Sequence, residues 1–140
     1  MGGYGDPEAL EALAAELHRR AGQVREAADE HARTTDRACW VSDAAAVHRR
    51  ELAADRAAVE AAADGMDAAA DVLRRHADEV RERIAAIARA EREVRAWLAD
   101  RAARGGELLD RVGEVLGELP EAGADVWRQI PGRLTRLGLW

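Results

Sequence analysis

The sequence predicts an all-α fold: an antiparallel helical hairpin or coiled coil with a very long second helix and a short C-terminal helical extension that can fold back. Alanine dominates the composition and only 4% of residues are aromatic, which favours helices over a large globular core. Apolar residues recur every seven positions in two separate stretches, as they do along a helical packing seam. The segment between these stretches, residues 38–42, is therefore predicted to be the turn.

The first helix is predicted over residues 7–37. Asp6 can cap the exposed backbone amides of its first turn, and Pro7 suits a position that needs no amide donor. Leu13 and three alanines, Ala14, Ala21 and Ala28, fill the companion positions of a seven-residue ladder along this helix. The ladder residues are Leu10, Leu17 and Val24.

The second helix is predicted over residues 43–104. Ser42 or Asp43 can cap its start, and the pair Gly105–Gly106 can end it. Its seven-residue ladder is unbroken over most of its length, which indicates a long packing seam. The ladder residues are Leu52, Val59, Met66, Leu73, Val80, Ile87 and Val94.

The first helix is too short to cover the whole second helix, so the ladder beyond Leu73 needs another cover. Either the extension folds back over it or a second chain binds there. We therefore expect a hairpin domain at 1–104 and an amphipathic helical extension at 105–140. The candidate partner-binding residues are Val80, Ile84, Ile87, Val94, Trp97 and Leu98.

The last fourteen residues form a basic segment that also carries tryptophan and leucine. Such a segment can dock on a membrane surface, in a partner groove or on the acidic helices of its own chain. Proline and glycine interrupt it, which favours docking on its own chain. The candidate docking residues are Trp127, Arg128, Arg133, Arg136 and Trp140.

The sequence gives no indication of catalysis. Ser42 is the only serine and lies at a helix cap, and the four histidines are scattered without a metal-binding spacing. We therefore expect no enzymatic activity, no catalytic residues, no cofactor and no metal site. Arginines alternate with acidic residues and the net charge is −6, so no basic stripe for nucleic acid is expected.

The junction Trp40-Val41-Ser42 between two long helices resembles the Trp-x-Gly turn of the WXG family, the small ESAT-like helical hairpins of type VII secretion systems in actinobacteria and related bacteria. Serine stands here where the family motif has glycine. The following Ser42-Asp43-Ala44-Ala45-Ala46 and the opening Gly5-Asp6-Pro7-Glu8-Ala9-Leu10 are also similar to actinobacterial members. The similarity covers residues 1 to about 100.

This resemblance implies a non-enzymatic interaction module, a type VII secretion substrate or a partner or carrier of an effector. It implies a homo- or hetero-oligomer with another helical hairpin or a larger effector, in a four-helix or longer bundle. It also implies export without a signal peptide, or a cytoplasmic location before export, and no transmembrane helix is expected. The alternatives are a cytoplasmic coiled-coil adaptor unrelated to secretion and peripheral membrane binding through the basic tail.

Overall fold

A computed structural model describes residues 5–37, 41–104, 112–114 and 117–140. Its helices include α1, Pro7–Arg37; α2, Asp43–Arg104; a 3₁₀ helix, Asp125–Gln129; and α3, Ile130–Arg136. Residues 112–114 are also helical. No strand occurs in these ranges. The predicted all-α hairpin with a very long second helix and a C-terminal helical extension is confirmed.

Both long helices begin at a side-chain cap. The Asp6 carboxylate accepts a hydrogen bond from the Glu8 amide at 3.0 Å. The Ser42 hydroxyl accepts one from the Ala45 amide at 3.1 Å, so serine rather than Asp43 caps α2. Cys39 and Trp40, including the tryptophan of the predicted turn motif, lie outside the described residues, as does the predicted Gly105–Gly106 stop.

The chain forms two compact units, which divide within α2. The first unit, Asp6–Ala77, is the hairpin of α1 with the N-terminal part of α2. The second unit comprises the described residues from Asp78 to Trp140. In this C-terminal unit, residues after α2 pack back onto α2 around a small apolar core.

Candidate interaction surfaces

The two helices of the hairpin unit meet along alanines. Ala14 and Ala21 of α1 and Ala63 and Ala70 of α2 are fully buried, at seven-residue steps on each helix. Because an alanine side chain ends at Cβ, the helix axes can approach closely, and the larger ladder side chains lie beside the seam rather than within it. These half-buried residues are Leu10, Leu17 and Val24 of α1 and Leu52, Val59, Met66 and Leu73 of α2.

One border of the hairpin is bridged by ion pairs, and we call it the ionic edge. Arg25 donates to Glu60 at 3.0 Å, to Asp64 at 2.6 Å and to Asp67 at 2.7 Å. His18 Nδ1 lies 2.7 Å from the Asp67 carboxylate. The ionic edge comprises His18, Arg25 and Asp29 of α1 and Arg56, Glu60, Asp64 and Asp67 of α2.

The ionic edge fixes the alignment of the two helices. The hydrogen bond from Arg25, followed by that from His18, lowers the pKa of the Asp67 carboxyl group. The three carboxylates in turn raise the pKa of Arg25. Since these groups lie at the surface, water screens their attraction and its contribution to stability is modest. Their geometric role is to hold α1 antiparallel to α2 in one register.

The opposite border of the hairpin differs in chemistry, and we call it the apolar edge. The carboxylates of α2 between residues 57 and 73 are spaced by four, three and four residues, so they share the ionic side of the helix. On the opposite side of α2, uncharged residues recur with the same alternation of four and three positions. The apolar edge comprises Leu13 of α1 and Ala58, Ala62, Gly65, Ala69 and Val72 of α2, with Leu17, Val59, Met66 and Leu73 half-buried beneath them.

The apolar edge has the character of an interaction surface. Leu13 is 51% exposed and Val72 is 54% exposed, and the other residues of the edge on α2 are small. In a chain with 34% charged residues, α2 carries no charge on this side for more than four helical turns. The edge therefore combines two exposed aliphatic side chains with small residues that leave the α2 backbone accessible to close approach.

Towards its turn end, the hairpin opens into a groove of about 340 Å³. The groove forms because α1 places the small residues Ala28 and Ala32 near the larger Leu52 and Val59 of α2. Its volume is in the range of small-molecule sites. However, its rim mixes acidic with basic side chains, so the lining does not favour one ligand chemistry. The polar and charged rim residues are His31, Thr35, Asp36, Arg49, Asp55 and Arg56.

In the C-terminal unit, residues 123–140, which we call the tail, bury one face of α2. Trp127 and Leu134 of the tail are fully buried, and Ile130 is 2% exposed. They pack with Ile87 and Val94 of α2 in a single apolar cluster. We call the α2 side of this cluster the tail seat. Its residues are Ile87, Ala90, Val94, Trp97 and Leu98.

Polar contacts fasten the tail at its beginning. The Gly123 amide donates to the Glu91 carboxylate at 3.0 Å, and Arg83 donates to Asp125 at 2.9 Å. The bond from Gly123, followed by one from Arg95, lowers the pKa of Glu91. These contacts hold the first residues of the tail over α2.

Aromatic contacts complete the attachment of the tail. The Trp127 indole N–H donates to the Glu121 carbonyl at 2.8 Å, so its one polar atom is satisfied despite burial. The Arg95 guanidinium lies 5.0 Å from the centre of the Trp127 ring. Trp140 stacks on Trp97, which also receives Arg101 at 5.5 Å on its ring. Aromatic contacts thus attach the tail to α2 at both Trp127 and Trp140.

The structure places the predicted partner-binding residues largely in the interior. Val80, Ile87 and Val94 are at most 5% exposed, and Trp97 and Leu98 are partly covered by the tail. Ile84 is 45% exposed. In this structure the ladder around Ile87 and Val94 is covered by the chain's own tail, the first of the two covers considered from the sequence.

The predicted tail-docking residues separate into two groups. Trp127 is fully buried, whereas Arg128, Arg133 and Arg136 are exposed and Trp140 is 44% exposed. Only the arginines and part of Trp140 are therefore accessible to another molecule. Ser42 of the turn motif serves as the cap of α2.

No set of three His, Cys, Asp or Glu side chains in the described ranges is arranged to hold a metal ion. Over those same ranges, no helix is both long and apolar enough to cross a membrane. No family model, characterised protein or solved structure matches this chain.

Sequence reasoning missed the apolar edge. Its signal was present in the uncharged positions 58, 62, 65, 69 and 72, which alternate by four and three residues. The large ladder residues beside these positions give the stronger periodic signal, which predicts only the hairpin seam. Only the burial of the alanines shows that the seam itself is narrow.

Proposed function

We propose that this chain is a non-enzymatic helical interaction module associated with type VII secretion, as a substrate or as a partner or carrier of an effector. The observation that carries the proposal is the apolar edge, which is exposed and, on α2, free of charge over residues 58–72 of an otherwise highly charged hairpin. The resemblance of Trp40-Val41-Ser42 to the Trp-x-Gly turn, with Ser42 capping α2, supports the link to secretion.

In this proposal, the partner is a second helical hairpin that covers the apolar edge in a four-helix bundle. Leu13 and Val72 insert between partner side chains, and the small residues Ala62, Gly65 and Ala69 accept the partner's larger ones. The ionic edge keeps α1 and α2 aligned while the partner binds. The tail seat is already filled, so pairing uses the hairpin unit.

A matched pair of substitutions tests the surface. Ala62→Glu puts a charge in the middle of the apolar edge, whereas Ala57→Glu puts the same charge near Arg56 and Glu60 on the ionic side. Both positions are exposed and both changes suit a helix, so circular dichroism should remain unchanged. Light scattering then measures the mass of each variant in solution. A photoreactive residue at each position, cross-linked in the native cell, identifies the pairing partner.

We expect Ala62→Glu to abolish the complex and Ala57→Glu to retain it. The photoreactive residue at 62 should give a discrete adduct with a hairpin protein or an effector, and the one at 57 should not. Equal pairing by both variants would refute this surface.

Retention of the chain in the cell on deletion of the secretion ATPase supports the secretion role, while export unaffected by that deletion contradicts it. A chain never found outside the cell favours the cytoplasmic adaptor.

A further inference from the structure

The tail contacts its seat on one face of α2 through a few apolar anchors. Trp127, Ile130 and Leu134 are spaced by three and four residues, which places their side chains on one face. That face is buried, while Val126 and Leu137 on other sides of the tail are 42% and 53% exposed. The attachment is therefore one-sided, through a short set of anchors.

The tail is also short as an independent element. α3 has seven residues, and neither it nor the 3₁₀ helix has a side-chain cap at its start. Helices of this length are unstable without tertiary contacts, so the tail depends on its seat for its structure. The seat, in contrast, belongs to the 62-residue α2. Release of the tail would leave the seat's backbone helical.

We propose that the tail seat is a helix-binding face of α2 that the tail occupies in cis, and that it accepts a helical segment of another chain with the same anchor chemistry. This site is separate from the apolar edge, and neither proposal requires the other. The occupant is a segment with an aromatic residue, a branched aliphatic residue three positions later and a leucine four positions after that.

The cis contacts define the chemistry of this partner further. Asp125 stands two residues before the aromatic anchor and pairs with Arg83, so the partner carries an acidic residue there. Arg95 covers the ring of Trp127, which favours an electron-rich aromatic such as tryptophan at the first anchor. Trp97 stacks with Trp140 and offers a second aromatic contact at the other end. An amphipathic helix with a tryptophan anchor and an acidic residue two positions before it meets these conditions.

The tail itself supplies the probe. A fluorescently labelled peptide with the sequence of residues 121–140 is titrated into the full chain, and its anisotropy is measured. The cis tail has a high effective concentration at the seat, so the unmodified chain should bind the peptide weakly. In the full chain with Trp127→Ala, the weakened cis tail competes less, and we expect peptide binding at least about tenfold tighter.

Leu134→Ala in the full chain provides a second release variant, and circular dichroism reports whether each variant remains helical. Adding Ile87→Asp to the Trp127→Ala chain should abolish binding, whereas adding Ala62→Glu should not, because the latter lies on the apolar edge. A peptide carrying Trp127→Ala is the ligand control. If neither helical release variant binds the peptide more tightly than the unmodified chain, or if Ile87→Asp has no effect, the proposal is wrong.

Discussion

Trp140 stacks on Trp97, with the ring centres 5.5 Å apart and the ring planes inclined by 24°. The pair joins the end of the tail to α2, beyond the cluster that contains Trp127. Two tryptophans thus attach the tail in different environments: Trp127 is fully buried, whereas Trp140 remains 44% exposed. This difference leads to a graded prediction for their removal.

We expect Trp127→Ala to lower the free energy of unfolding by about 3–5 kcal/mol, because it leaves a large cavity in the apolar cluster. Trp140→Ala should cost about 1 kcal/mol, since it removes mainly the stacking contact. Urea unfolding followed by circular dichroism measures both. Near-ultraviolet circular dichroism should detect loss of the stacked pair in Trp140→Ala. Equal costs for the two substitutions would contradict the burial of Trp127.

The helices were predictable from local signals. Asp6 before Pro7 and Ser42 before the alanine run are caps within a few residues of the helices they start, and the ladders repeat at a fixed step. The sequence alone could not decide between the extension and a second chain as the cover of the ladder beyond Leu73, because that cover depends on contacts distant in sequence. The spacing of Trp127, Ile130 and Leu134 suits any apolar surface. Only the folded structure shows that Ile87 and Val94 of α2 provide that surface.

The hydrogen bond from Gly123 to Glu91 predicts a dependence of stability on pH. The pKa of Glu91 is lowered in the folded protein, so its contribution is present above the ordinary pKa near 4.5 and is lost as the pH falls through the lowered value. Glu91→Gln should therefore destabilise the protein at neutral pH. The difference from the unmodified chain should shrink towards zero in acid, once the Glu91 carboxylate is protonated in the folded protein as well.

Chemical denaturation at neutral pH and in acid measures the difference in stability between Glu91→Gln and the unmodified chain. Glu93→Gln, an exposed position two residues away, is the matched control and should change stability little at either pH. A Glu91→Gln effect that persists undiminished in acid would show that the charge of the carboxylate is not what holds Gly123.

The convergence of Glu60, Asp64 and Asp67 on Arg25 predicts a salt-dependent effect. Arg25→Gln leaves these three carboxylates close together without their cation, so the melting temperature should fall. The fall should be largest in dilute buffer and should largely disappear in 1 M salt, where the screening length is about 3 Å.

Arg19→Gln is the control for this effect, because Arg19 pairs with Glu16 of its own helix and not across the hairpin. Its melting temperature should change less than that of Arg25→Gln at every salt concentration. A similar decrease in both variants would indicate loss of local helix charge rather than loss of the ionic edge.

The alanine seam predicts that larger side chains are harmful at specific positions. Ala70 is fully buried between the helices, so Ala70→Leu has to push α1 away from α2 and should cost about 1–3 kcal/mol. Ala68 is exposed on the outer face of α2, and Ala68→Leu, with the same change in volume and a similar helix propensity, should alter stability by less than about 0.5 kcal/mol. Thermal unfolding compares the two. If Ala70→Leu were tolerated as well as Ala68→Leu, the helices would not be in close contact, and the half-buried Leu17 and Met66 would have to form the seam instead.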